Sequence, residues 1–171
     1  MKRIILFFLL AIFTVLYFKV AYAGGPIQIG KKLVNFKLKT LEGKRVEIHD
    51  AIKGRAAVIN FTTTWCHDCK KLERIFDKII PRYRKKGIEF FFIYVGQNKK
   101  LVGKGVFGKN RKSAPFRLLD EKRKAAAKLK FTAIPHVIIV DRKGVIKYKG
   151  SPLEEKMMTR EIDKLLSNNM P

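Results

Sequence analysis

Cysteine is nearly absent from this chain: among 171 residues there are two, Cys66 and Cys69. That excludes a multi-disulfide scaffold and a Cys-rich zinc module, and it leaves a pair that matters locally or not at all. Histidine is almost as scarce. His49, His67 and His136 are the only three, with no His-x3-5-His spacing, so zinc on the cysteine pair would have few nitrogen ligands. Acidic residues are few as well, 14 Asp+Glu against 38 Lys+Arg, for a formal charge of +24. No internal repeat and no low-complexity tract is visible. What is present is apolar content: 47% hydrophobic residues suffice for a packed core and exclude a disordered polycation. The length suits one domain.

Lys2 and Arg3 precede an apolar run from Ile4 to Phe18, interrupted only by Thr14, and Ala21-Tyr22-Ala23 supplies a small-x-small cleavage pattern. The run is shorter than the about 20 residues a spanning helix needs. Residues 1–23 are therefore expected to be a signal peptide cut before Gly24, or else an N-terminal membrane anchor with Lys19 snorkelling to the interface. Either way, residues 24–171 form the domain and lie outside the cytoplasm, in keeping with the positive charge ahead of the run.

Losing residues 1–23 would remove Lys2, Arg3 and Lys19 and no acid, so the basicity belongs to the domain. It is densest from Lys99 to Lys130, where twelve basic residues face only Asp120 and Glu121. An exported chain rarely meets nucleic acid, and no recognition motif or interleaved aromatic platform appears. Anionic lipid headgroups or an acidic partner fit better, and a solvated, solubilising face is the plainest reading.

Along the chain, Val34 to Leu38 alternate, Glu42-Gly43-Lys44 punctuates, and Val46 and Ile48 resume, predicting a small N-terminal hairpin. Ala56 to Phe61 predicts a strand buried on both faces, with Asn60 inside it. From Cys69, the residues Leu72, Ile75, Phe76, Ile79 and Ile80 recur at helical spacing up to Pro81. Ile88 to Val95 is a second core strand, followed by a glycine-broken stretch of loop and weak helix. Arg117–Leu119 predicts a short strand and Glu121–Lys130 a short basic helix. Val137–Val140 and Val145–Lys149 predict a hairpin turning at Asp141-Arg142-Lys143-Gly144, and Pro152–Leu166 a closing amphipathic helix.

Trp65-Cys66-His67-Asp68-Cys69-Lys70 stands where the first buried strand gives way to the helix. Free amide N–H groups and the positive end of the helix dipole favour thiolate there, which makes Cys66 the attacking sulfur and the more deeply placed Cys69 the resolving one. Two intervening residues on a helical turn bring the sulfurs within bonding distance, so the pair can cycle between dithiol and disulfide. Helical projection puts Glu73 near Cys69 at the margin of the apolar face. There desolvation would raise its pKa and let it take the proton of Cys69; alternatively it is a solvated partner of Lys70 or Lys78. His67 as imidazolium would stabilise the Cys66 thiolate, and Asp68 would oppose it.

Ala133-Ile134-Pro135-His136 opens another buried strand, and proline in that place predicts a cis bond. The loop would offer the backbone of Ile134 to an extended substrate chain, as in strand addition. Trp65, His67, Ile134 and Pro135 are thus the candidate substrate-binding residues beside the catalytic Cys66, Cys69 and Glu73.

Asn60-Phe61, Trp65-Cys66-x-x-Cys69-Lys70, Ile134-Pro135 and Asp141-x-x-Gly144, in this order, resemble the thioredoxin superfamily and, within it, the exported TlpA/ResA/DsbE-like thiol-disulfide oxidoreductases. The resemblance covers about Ile27 to Leu166. It implies an α/β fold, a thioredoxin-like three-layer α/β/α sandwich with a mixed central sheet of four to five strands and an N-terminal β-hairpin. It implies Cys66 as nucleophile, Cys69 as resolving cysteine, and Pro135 cis against the disulfide. It also implies an extracytoplasmic or periplasmic reductant of protein disulfides, such as the haem-binding cysteines in cytochrome c maturation, supplied by a membrane electron donor and using no cofactor beyond the redox disulfide. The chain departs from the pattern at Thr62, where the family often has Trp, at Leu72, where ResA-like members carry an acid, and at Arg74, where thioredoxins have Pro.

Other readings compete. A thiol oxidant or isomerase would be favoured by His67. A peroxidase would need a peroxidatic cysteine in its own Thr/Pro/Arg pocket, which Thr63 and Thr64 match weakly. A copper carrier could use Cys66 and Cys69 as soft ligands with His136.

Overall fold

In the computed structural model, residues 27–104 and 116–167 are described. The leader expected at residues 1–23 lies outside the described residues, as do Lys109, Arg111 and Lys112 of the basic run.

Seven strands form one mixed sheet in the order β2-β1-β5-β4-β3-β6-β7. They are β1 (Lys37–Thr40), β2 (Arg45–Glu47), β3 (Ala56–Thr62), β4 (Ile88–Val95), β5 (Phe116–Asp120), β6 (His136–Val140) and β7 (Ile146–Gly150). The helices are α1 (Ile48–Ile52), α2 (His67–Arg84), α3 (Lys99–Lys104), α4 (Lys124–Leu129) and α5 (Glu155–Ser167). β3, β4 and β5 are parallel neighbours, and β6 runs antiparallel to β3, with Asn60 opposite Val137 and Phe61 opposite His136. The predicted N-terminal hairpin is present, attached to the sheet edge through β5. It and β7 carry the sheet beyond the four to five strands expected.

β3 is buried along its whole length because helices cover both sides of the sheet. Val58, Phe90, Phe92, Val137 and Ile139 meet α2 and α5 on one face; Ala57, Ile59, Phe61, Ile93 and Ile138 meet α1, α4 and the N-terminal segment on the other. These are the three layers. Phe76 of α2 stands edge-on to Phe90 and Phe92, with centroids 6.0 and 5.2 Å apart, and trimming such a ring to alanine costs about 3–5 kcal/mol.

Three elements differ from the sequence reading. α2 does not stop at Pro81 but runs through it to Arg84. Proline removes one backbone bond close to the helix end, and a further turn buries Tyr83, whose hydroxyl donates to the Thr159 carbonyl of α5 at 3.5 Å. Ile48 does not continue the hairpin; it opens α1, since Ile48 and Ile52, four apart and both buried, fit a helical turn as well as a strand. The basic helix is also shorter than Glu121–Lys130. The buried Asp120 ends β5 and accepts hydrogen bonds from the amides of Ala125 (3.1 Å) and Ala126 (2.9 Å), so it anchors the first turn of α4.

The turn from β6 to β7 has a comparable anchor. Asp141 accepts from the amides of Lys143 and Val145, both at 2.9 Å, and lies 3.2 Å from the Lys147 ammonium. Burial pushes its pKa up, but those amides and that ammonium together outweigh burial and hold it below the ordinary carboxylate value. Gly144 takes the left-handed φ of +75° that the tight turn requires.

Candidate active site at the Cys66–Cys69 pair

The C-terminal end of β3 hands the chain to α2 through a short loop. Thr62 and Thr63 are still buried, Thr64 is half-buried, and Trp65 stands 73% exposed. Cys66 is the N-cap of α2, in extended geometry (φ −74°, ψ 124°), and its Sγ accepts the backbone N–H of Cys69 at 3.2 Å. Sulfur occupies the place a capping oxygen usually takes, at the positive end of an 18-residue helix. Cys66 and Cys69 are joined as a disulfide with their Cα atoms 5.2 Å apart.

The two sulfurs are not equivalent. Cys66 is half-buried and faces solvent, whereas Cys69 is completely buried. Of the two, only Cys66 is open to solvent.

Glu73, one helical turn beyond Cys69, is completely buried rather than solvated beside Lys70 or Lys78. Its Oε1 accepts the Thr62 hydroxyl at 3.2 Å. Thr62 thus supplies a hydroxyl to the buried acid. Nearby, both polar side-chain atoms of Asn60 on β3 and the hydroxyl of Thr63 just beyond it are buried without a hydrogen-bond partner among the described residues.

The loop before β6 arrives on the other side of the pair. The Ile134–Pro135 peptide is cis, as the sequence predicts, and the Ile134 carbonyl oxygen lies 3.8 Å from Cys66 Sγ. The Ser151 hydroxyl donates to the Pro135 carbonyl and ties this loop to the chain beyond β7. Residues 68 apart in sequence thereby meet at one sulfur. His67 is exposed on the first turn of α2, next to Cys66.

His136 takes a different direction. Its ring stacks on Phe131, with centroids 4.8 Å apart and planes within 6°, and its Nε2 is buried without a hydrogen-bond partner among the described residues. Burial first, and Lys149 second, lower its pKa. It lines a cleft of about 530 Å³ with Phe131, Thr132 and Lys149. Among the described residues no group of three His, Cys, Asp or Glu side chains is placed to hold a metal ion.

One contributor escaped the sequence reading. Gln97, buried just past the end of β4, accepts the Thr64 amide through Oε1 and donates through Nε2 to the Thr64 hydroxyl, each at 2.8 Å. It fixes the loop that presents Trp65 and Cys66. The available signal was topological: in a parallel crossover, the residue that follows the second core strand lies beside the loop that follows the first.

Among relatives, a ResA thiol-disulfide oxidoreductase of Bacillus thuringiensis is 41% identical over 63 residues, 37% of this chain and 36% of that protein. That match spans little more than a third of the relative's length. ResA of Bacillus subtilis is 28% identical over 145 residues, 82% of this chain and 78% of that protein. Among solved structures, the thioredoxin domain of a thiol-disulfide oxidoreductase from Bacteroides vulgatus superposes with a TM-score of 0.65 at 20% identity, covering 82% of this chain and 99% of that one. A secreted Mycobacterium tuberculosis disulfide oxidoreductase homologous to E. coli DsbE gives 0.63 at 16% identity, covering 76% and 96%. These likenesses show the thioredoxin-like fold. Residues 29–149 match the AhpC/TSA family, and the chain, with its Cys66–Cys69 disulfide at the start of α2, belongs to that family.

Proposed function

We propose that this protein is an extracytoplasmic thiol-disulfide oxidoreductase whose working direction is reduction of protein disulfides. The observation that carries the exchange chemistry is the asymmetry of the pair, an accessible Cys66 at a helix N-terminus bonded to a fully buried Cys69; the direction rests on the resemblance to the exported TlpA/ResA/DsbE-like oxidoreductases.

In the reduced protein, the Cys66 thiolate attacks a substrate disulfide. The substrate S–S bond breaks, a mixed disulfide forms at Cys66, and one substrate thiolate leaves. Cys69 then gives its proton to Glu73 and attacks Cys66 Sγ. This re-forms the Cys66–Cys69 bond and releases the second substrate thiolate, so two electrons have passed to the substrate. Ile134 and Pro135 would hold the substrate backbone, and Trp65 and His67 would border its approach. A membrane electron donor would return the pair to the dithiol. The resemblance to the exported TlpA/ResA/DsbE-like oxidoreductases makes the haem-binding cysteines of a c-type apocytochrome the first substrate to try.

The midpoint potential of the Cys66/Cys69 couple tests the direction. Equilibration against glutathione or dithiothreitol buffers should give a value below about −220 mV; a value near −120 mV would instead make the protein an oxidant that donates its disulfide.

A further inference from the structure

β5, β4 and β3 are adjacent and parallel, so their C-terminal ends stand side by side, about 4.8 Å between neighbours. The segments that leave those ends therefore share one rim with Cys66. After β5 come Lys122, Arg123 and Lys124; after β4 come Gly96, Gln97 and then Lys99 and Lys100; after β3 comes Trp65. Direct contacts join them. The amides of Gly96 and Arg123 both donate to the Asp120 carbonyl at 2.9 Å, and the Arg123 side chain lies against Gly96 so closely that a Cβ there would touch it at 3.5 Å. Gln97 completes the link through its two bonds to Thr64.

The five cations on this rim are exposed. None has a carboxylate within salt-bridge distance among the described residues, and Lys99 feels Glu42 only through longer-range attraction. The acids nearest in sequence are engaged elsewhere: Asp120 holds the start of α4, and Glu121 pairs with Lys39 at 3.5 Å. The uncompensated charge thus lies at the same end of the sheet as an exposed tryptophan and the accessible sulfur.

We propose that this rim docks an acidic face of the partner protein that exchanges its disulfide with Cys66, with Trp65 as the apolar anchor and the five cations setting orientation and rate. The inference rests on the exchange chemistry proposed above and names the surface chemistry of its partner. Exchange requires a partner sulfur to reach bonding distance of Cys66, and a protein gripping this rim brings its own cystine there. A bilayer laid across the same rim would cover the disulfide instead. Tryptophan and arginine, both exposed at this end of the sheet, are also the residues in which interface hot spots are enriched.

The test uses the full chain, reduced beforehand, and two synthetic cystine peptides of equal length, one flanked by Asp and Glu and the other by Lys. At about 20 mM salt the acidic peptide should be reduced about tenfold faster, and the difference should collapse at about 0.5 M. K122E/K124E and, separately, K99E/K100E should abolish or invert the preference while leaving the rate with neutral dipyridyl disulfide unchanged. Charge reversal at the opposite end of the sheet, K53E/K85E, should leave the preference intact. Equal rates for the two peptides, or an equal effect from K53E/K85E, would overturn the docking rim. So would binding to vesicles with about 30% anionic phospholipid that is lost in K122E/K124E while peptide rates stay put, since that assigns the rim to a membrane. Failure to reduce even dipyridyl disulfide would defeat the exchange chemistry itself, and the docking rim with it.

Discussion

Gln97 and Thr64 exchange two hydrogen bonds of 2.8 Å across the gap between the ends of β4 and β3, and this reciprocal pair holds the loop from which Cys66 is presented. Leucine at residue 97 would strand the Thr64 amide and hydroxyl, and leaving a half-buried polar group without its partner costs about 1–3 kcal/mol. Q97L should therefore lower the urea midpoint and slow alkylation of Cys66 in the reduced protein. Q97E, which keeps the acceptor for the Thr64 amide, should recover part of both. Alkylation at the wild-type rate in Q97L would show that the clamp serves folding alone.

The unequal exposure of the two sulfurs predicts unequal variants. C69S should trap a stable mixed disulfide with a cystine peptide, visible as an added peptide mass, because Cys66 can attack and nothing can resolve the adduct. C66S should trap none, its remaining thiol being completely buried. A peptide adduct on Cys69 in C66S would reverse the assignment.

If the buried Glu73 accepts the Cys69 proton, E73Q should leave the first attack by Cys66 untouched and slow resolution of the mixed disulfide by about 10²-fold, with loss of its pH dependence. Rapid-quench separation of the two steps reads this out. T62V, which removes the hydroxyl bound to Glu73, should shift the pH profile of resolution without abolishing it.

His136 makes stability depend on pH in a defined direction. Its folded pKa lies below the ordinary 6.5, so the native state holds the ring neutral where the unfolded chain already binds a proton. The stabilisation is fully present above about pH 6.5 and is lost as pH falls through the depressed folded value. The urea midpoint should drop between about pH 7.5 and about pH 5, and H136F should remove part of that drop. An identical drop in H136F would assign the acid sensitivity to the carboxylates, Asp141 foremost, whose lowered pKa acts in the same direction at lower pH.

Much of the fold was legible because local pattern and tertiary environment agree. The continuous apolar run of β3 requires burial on both faces, and the spacing of Leu72, Ile75, Phe76, Ile79 and Ile80 admits one helix with one buried face. Where two patterns coincide, as at Ile48, or where a single missing N–H is outweighed by a buried ring, as at Pro81 and Tyr83, sequence periodicity misplaces the boundary. The length of α4 was likewise hidden, because its anchor, Asp120, belongs to the preceding strand.

The residues themselves determined that Cys66 and Cys69 could form one local redox pair, that this pair follows a core strand and opens a helix, and that a proline introduces a later strand. These are statements about spacing along the chain, and spacing is what 3.6-residue and two-residue periodicities encode. Only the tertiary structure decided that Ile134 meets Cys66, that Glu73 is buried against Thr62, that Gln97 clamps Thr64, and that His136 turns to Phe131 instead of the cysteines. Each of these depends on strand order and register, and those are fixed by the simultaneous burial of both sheet faces rather than by any segment alone.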